Sequence, residues 1–390
     1  MTTAAQDAII DATAPVVAEH LDAITARFYP LMFERYPAVK AIFNQSHQQD
    51  GGQPRALARS VLAYVGLRKQ PAEARAAMAT AISKHVSLGI QPDQYPIVGE
   101  CLMAAIGEVL GDAVTEDVAD AWGALYGELA DLLIAAEARE YQAFAQRPGG
   151  WEGTREFRVA QIEQESDVIR SFYFEPVDGK PVAVAKAGQY IGLCLDVEGT
   201  TAHRHYSLTG CDAERGYRIS VKREPGGLVS PWLHDKVKVG DTLLAYPPAG
   251  DLTLDDGEAP VMLISGGVGQ TPMLTLAREA LKRGRQVCYV HAARDAAHHA
   301  FRNEVSTLGK AYPGQLTHYH LYEQGDGADA NGFVDQALLQ RLLPSPDTQC
   351  YFVGPAGFMS AVDGYLDTLG IGAEQRRYEH FGPSRPLKTA

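Results

Sequence analysis

The hydrophobic period changes twice along this chain, and those changes set three folding regimes. Across residues 1–147 apolar side chains recur at three- and four-residue steps. One stripe holds Val17, Leu21, Ile24, Phe28 and Leu31, a second Leu57, Val61, Tyr64 and Val65. A third runs Trp122, Tyr126, Leu129 and Leu133 and continues to Glu137. This is the period of amphipathic helices, and the abundance of alanine favours them. Gly51-Gly52, Pro71 and Gln91-Pro92-Asp93 punctuate the segment, and Arg147-Pro148-Gly149-Gly150 reads as the linker that closes it. From Trp151 to Gly257 the period becomes two: Tyr217, Ile219 and Val221 alternate with Arg218, Ser220 and Lys222. Recurrent glycine and proline turns there predict a small antiparallel β-barrel. Beyond, apolar strands at 261–264, 286–291 and 349–353 alternate with helical stretches such as 272–282. That is the βαβ signature of an α/β parallel sheet. The sequence therefore predicts a multidomain chain: an all-α domain at 1–147, a barrel at 151–257 and an α/β domain at 258–390.

A chain of 390 residues suits two to three domains of this size. A net charge of -13 argues against a nucleic-acid partner, because a phosphate backbone requires a basic face. No run of 18 apolar residues predicts a transmembrane segment. Asp7 and Asp11 stand where a signal peptide would be basic and then apolar. The five cysteines are far apart, without a C-x-x-C pair for zinc, iron–sulfur or dithiol chemistry, or a C-x-x-C-H for covalent haem. The expectation is a cytoplasmic protein with no obligate protein partner.

Two motifs carry chemistry. The run Ile264-Ser265-Gly266-Gly267-Val268-Gly269-Gln270-Thr271-Pro272 is a strand, a glycine turn and a helix start. Glycines let backbone amides approach a ligand. Thr271 reads as an N-cap and Pro272 as the first helical residue, so free N–H groups and the helix dipole face a phosphate. Gly267, Val268, Gly269, Gln270, Thr271 and Pro272 are the candidate nicotinamide-dinucleotide site. NADH and NADPH both stay open, since Arg294 and Asp295 lie side by side where an acidic ribose ligand is usual. Ser230-Pro231, after Gly226-Gly227, repeats the cap-plus-proline device in the barrel. There Arg204 supplies a fixed charge for a pyrophosphate and Tyr206 an aromatic face, which points to FAD.

R-x-Y-S followed by G-G-V-G-Q-T-P resembles the ferredoxin–NADP reductase family. In that family the residue matching Tyr206 packs on the isoalloxazine, the one matching Ser207 bonds its N5 edge, and the one matching Tyr190 packs nearby. His205, between Arg204 and Tyr206, is carried with them. The first 147 residues resemble a globin, and the whole chain resembles bacterial flavohaemoglobin. The resemblance rests on Phe28-Tyr29, Ala41-Ile42-Phe43-Asn44, Ser83-Lys84-His85 and the run Gln94 to Glu100. It rests also on Gly150-Trp151-Glu152-Gly153-Thr154-Arg155 and Tyr378-Glu379-His380-Phe381-Gly382-Pro383.

The resemblance makes His85 the proximal ligand of a non-covalent haem b iron, with Glu137 and Tyr95 hydrogen-bonding toward its imidazole. Glu137 also stands out unaided, because a carboxylate on an apolar stripe needs a partner. A polarised imidazole favours activation of dioxygen over storage. On the distal side Tyr29 is the candidate donor to the ligand, Gln53 the matching amide, Leu57 narrows the pocket and Phe43 packs on the porphyrin. His380, Phe381, Gly382 and Pro383 belong with the flavin, and Lys84 and Glu379 match residues that tune electron transfer. Pro30, mid-helix, is expected to cost about 3 kcal/mol or force a kink, and Pro54 to bias Gln53 toward extended backbone. Val353 and His380 depart from cysteines in many relatives. The activity implied is nitric oxide dioxygenase, with O2, NO and NAD(P)H as small-molecule partners. The alternatives are a haem-linked NAD(P)H oxidase or hydroperoxide reductase, and, in a different class, an oxygen sensor or carrier.

Overall fold

The computed structural model describes residues 2–42 and 52–381, apart from the side chains of Ala41 and residues 52–59. The N-terminal region is helical throughout, in the segments Ala4–Glu19, Leu21–Arg35, Gly52–Leu67, Pro71–Ala77, Ala79–Leu88, Tyr95–Leu110 and Glu116–Ala145. Thr3 and Gln6 form a capping box on the first helix, and Thr115 caps the last. The stripes become the core: Val17, Ile24, Phe28, Leu31, Val61, Tyr64, Trp122, Leu129 and Leu133 are all buried together. The first stripe is divided between two helices at His20. Pro30 does not end its helix, which runs on to Arg35. Having no N–H, it leaves the carbonyl of Ala26 without its helical donor, and the burial of Phe28, Leu31 and Met32 on either side offsets that loss. Gln53 and Pro54 lie in the first turn of the Gly52–Leu67 helix, so the backbone at Gln53 is helical rather than extended. A first turn needs no amide donor from proline.

Six strands close into an antiparallel barrel: β1 Arg155–Gln164, β2 Ile169–Pro176, β3 Tyr190–Val197, β4 Thr200–Asp212, β5 Gly216–Lys222 and β6 Thr242–Ala245. Their order is β1-β2-β5-β4-β3-β6. Tyr217, Ile219 and Val221 face inward as the alternation requires, but Ser220 is buried as well. Its hydroxyl, on the opposite face of β5 from those three, meets those of Ser171 at 2.7 Å and Thr209 at 2.8 Å, so three polar side chains satisfy one another there.

The C-terminal sheet is parallel, in the order β10-β9-β8-β7-β11-β12. Its strands are β7 Val261–Gly266, β8 Val287–Ala293, β9 Leu316–Tyr322, β10 Ala330–Asn331, β11 Gln349–Val353 and β12 Arg376–Tyr378. The helix Gln270–Lys282 packs on one face with Val261, Leu263 and Tyr289. The helix Ala356–Thr368 covers the other with Met262, Ile264 and Phe352. Strand order reverses at β7, between β8 and β11, and ligands bind outside the carboxyl ends at such a point. Compact packing divides the chain into residues 1–147 with 151–154 and 194–204, and a second unit that holds the rest. No helix among the described residues is long and apolar enough to cross a membrane.

Candidate functional site

In the helical unit, the helices Ala79–Leu88, Tyr95–Leu110 and Glu116–Ala145 bring His85, Tyr95 and Glu137 together. Glu137 is buried to 3% exposure, and one of its oxygens, Oε1, serves both partners. Tyr95 donates to it at 2.5 Å, and His85 Nδ1 lies 2.7 Å away. The Tyr95 hydroxyl is also 3.0 Å from the same Nδ1. With the carboxylate accepting, Nδ1 carries the ring proton and Nε2 keeps its lone pair. Burial first, then the bond to Glu137, holds the Tyr95 phenol far above its ordinary pKa, so it stays a donor.

A second layer, which the motif reading missed, fixes this group. Tyr126 donates to the carbonyl of Tyr95 at 2.8 Å. Tyr141, one helical turn past Glu137, donates to the carbonyl of Ile90 at 3.0 Å. Gly99 is required beneath Tyr126, since a Cβ there would stand 2.6 Å from its ring. The signals were present: Tyr126 lies on the third stripe, and Tyr141 is at i+4 from Glu137.

Tyr29 is buried in the same core, edge-on to Phe28 at 4.7 Å between ring centres. Burial alone lifts its phenol well above the usual value, so it too is a neutral donor. Phe43, and the side chains of Gln53 and Leu57, lie outside the described residues, as do Gly382 and Pro383. Lys84 precedes His85 on its helix, half-buried, and its carbonyl accepts from Ser87 at 2.7 Å.

In the barrel, Arg204, His205, Tyr206 and Ser207 lie consecutively on β4. Ser207 is buried; Arg204 and Tyr206 are half-buried. Arg204 Nη1 donates to the carbonyl of His203 at 2.7 Å. Tyr190 opens β3, buried, its ring 4.8 Å from that of His205. A Cβ on Gly250 would stand 2.9 Å from the Tyr190 ring, so only glycine lets that segment lie beneath it. Ser230 does not cap a helix. The short helix Val229–Asp235 begins before it, and its hydroxyl accepts from Glu224 N–H at 3.0 Å instead. The N-cap expected at Ser230 is therefore not formed. Glu379 and His380 follow β12 half-buried, His380 edge-on to Tyr378, and Phe381 is exposed at 46%.

The glycine turn coils into a 3-10 turn at Gly267–Gly269, so the helix starts at Gln270 with Gly269 as its cap. Thr271 therefore lies inside the helix, and its hydroxyl donates back to the Val268 carbonyl at 3.0 Å rather than capping. Gly267 has φ +55, and a Cβ on Gly269 would stand 2.1 Å from the Val353 carbonyl. The turn thus closes on the end of β11, at the switch point. Both amide atoms of the fully buried Gln270 lack a partner among the described residues. Buried groups of this kind call for bonds from a ligand or an ordered water.

Three family models match in this order: globin over residues 26–133, oxidoreductase FAD-binding domain over 156–254 and oxidoreductase NAD-binding domain over 263–364. The chain is 50% identical to the flavohemoprotein of Pseudomonas putida, over the full length of both. It is 46% identical to that of Pseudomonas aeruginosa over 99% of this chain and 100% of the relative. Among solved structures, the flavohemoglobin of Malassezia yamatoensis, with bound FAD and heme, superposes with a TM-score of 0.86 at 30% identity, covering 98% of this chain and 100% of that one. The FAD/NAD-binding domain of nitric oxide dioxygenase from Vibrio cholerae superposes at 0.54 and 37% identity, over 59% of this chain and 99% of that one.

Proposed function

The chain belongs to the flavohaemoproteins, and on that premise we propose that it is an NAD(P)H-dependent nitric oxide dioxygenase that turns NO and O2 into nitrate. The domain division we propose is the one read from the sequence: a haem domain at 1–147, an FAD barrel at 151–257 and a nicotinamide-dinucleotide domain at 258–390. When bound, NAD(P)H would supply an electron pair, FAD the means of dividing it into single electrons, and haem the one-electron centre for dioxygen chemistry.

The residues fit those groups. His85 offers Nε2 to iron, because its Nδ1 is committed to Glu137. The carboxylate, held by two donors, polarises the imidazole and fixes its orientation. Tyr29, a buried phenol held neutral, is the distal donor in this account. Arg204, Tyr206 and Ser207, with Tyr190, hold the flavin. The turn Gly267–Gly269 and the helix from Gln270 hold the dinucleotide phosphates, and Lys84 and Glu379 tune electron transfer. The five free thiols among the described residues suit a reducing compartment, and we assign the protein to the cytoplasm.

The observation that carries the proposal is the carboxylate–imidazole–phenol group. A carrier needs only a neutral imidazole; a polarised one favours activation of dioxygen. An oxygen sensor would need an output domain where this chain has oxidoreductase domains. One visible spectrum of the purified protein tests the premise. Oxidised and dithionite-reduced samples should show haem and flavin bands together. Flavin without haem, or haem without flavin, would overturn the reading.

A further inference from the structure

The helix Gln270–Lys282 starts on the dinucleotide turn, and one of its faces grips both chain segments that carry the flavin motifs. Thr275 Oγ1 accepts from the Gly188 N–H at 3.0 Å, two residues before Tyr190. One turn later, Arg278 Nη1 donates to the Thr209 carbonyl at 2.7 Å, two residues after Ser207. Positions three apart share a helix face, so both ties leave the same side.

Each tie has a built-in local cause. Gly188 has φ +91, and a Cβ there would stand 2.0 Å from the Leu252 carbonyl and 3.3 Å from Leu276 on the same helix. Only glycine permits that approach. Thr209 is the extra residue of a β-bulge: Leu208 pairs with Ile219 and Gly210 with Arg218, leaving Thr209 unmatched. The bulge releases its carbonyl from the ladder. Arg218 Nη2 donates to that oxygen at 2.9 Å, beside Arg278. Glu304 pairs with both guanidinium groups and balances their charge.

We propose that Thr275 and Arg278 are positioning residues that set the gap between the nicotinamide, placed by the glycine turn, and the flavin, placed by Tyr190 and Ser207. The step they control is hydride transfer: a proton with two electrons leaves the dihydronicotinamide, which is oxidised, and reduces the flavin. This rests on the oxidoreductase reading above. Reacting atoms must come within about 3–3.5 Å, and a displacement of about 1 Å from a remote change costs roughly 100-fold.

The test uses the full-length, FAD-loaded protein in anaerobic stopped flow with NADH. Arg278→Met should lower the limiting rate of flavin reduction roughly 10- to 100-fold, and Arg278→Lys should restore part of it. The primary deuterium isotope effect on that phase should grow. The long-wavelength charge-transfer band between reduced flavin and NAD+ should shrink. FAD content and the Kd for NAD+ should not move. Thr275→Val, nearly isosteric, should slow the step by roughly 2- to 12-fold, the worth of one neutral hydrogen bond, and it carries the test should Arg278→Met fail to fold. An unchanged limiting rate and band in FAD-replete variants would overturn the proposal, as would a loss that tracks FAD content alone. Wild-type protein whose flavin NADH does not reduce at all would overturn the functional reading instead.

Discussion

Glu137→Gln keeps the shape of the side chain and removes its charge. Oε1 of Glu137 accepts from Tyr95 at 2.5 Å and faces His85 Nδ1 at 2.7 Å, inside a core where Glu137 is 3% exposed. Hydrogen bonds to a charged group contribute about 1.5–3 kcal/mol each, and neutral ones about 0.5–1.5 kcal/mol. Losing the charge should therefore cost about 1–1.5 kcal/mol per bond, or about 2–3 kcal/mol for the pair. For a helical region of this size that lowers Tm by roughly 4–12 °C. Tyr95→Phe removes one of the two bonds and should cost about 1.5–3 kcal/mol. The double variant should cost less than the sum, because the Tyr95–Glu137 bond is counted in both single changes. The assay is thermal unfolding followed at the haem absorbance, with resonance Raman on the ferrous protein. The iron–imidazole stretch should fall in frequency in Glu137→Gln, because a neutral acceptor polarises the ring less. If Tm stays within about 2 °C and the stretch does not move, the carboxylate is not polarising His85, and the argument from the proximal group fails.

Tyr29→Phe should speed dioxygen release by roughly 10- to 150-fold, the worth of a hydrogen bond to a charged acceptor, with a smaller change for carbon monoxide; equal changes for the two ligands would reduce Tyr29 to a packing role. Arg204→Gln together with Ser207→Ala should abolish haem reduction by NADH and leave reduction by dithionite intact, and haem reduced at the normal rate would place the flavin elsewhere. Acid should destabilise the parallel-sheet domain. Burial, then neighbouring histidines, pushes His299 down to about 3 and His320 to about 4, and His291 well below 6.5. Since these folded values lie below the unfolded one, the stability is complete above pH 6.5. It is lost as pH falls toward about 3, by about 2 kcal/mol per histidine between pH 7 and 5. A Tm, read from flavin release, that is flat between pH 7 and 5 would contradict this.

Much of the architecture was legible because period is a backbone property: stripes at helical spacing became buried faces, and 349–353 became β11 without adjustment. The glycine turn after β7 was legible too, because a run of glycines is a local signal of a turn. Three things were not. Thr271 lost its capping place because the turn wound into a 3-10 coil, which moved the helix start to Gln270. Ser230 found a nearer donor in Glu224. The ties of Thr275, Arg278 and Glu304 to the barrel depend on a bulge at Thr209 and on register between β4 and β5, which no local pattern encodes. Pro30 shows propensity overridden by burial: a helix-breaking residue is carried through because its neighbours fill the core.

The most direct test of the account is the product balance of purified, haem- and FAD-replete protein given NO, excess O2 and limiting NADH. The account predicts that nitrate accounts for the NO consumed, with two nitrates formed for each NADH oxidised, because each NADH delivers two electrons and each nitrate needs one. Hydrogen peroxide accumulating in place of nitrate, or NADH oxidised without regard to NO, would show an oxidase rather than a dioxygenase and contradict it.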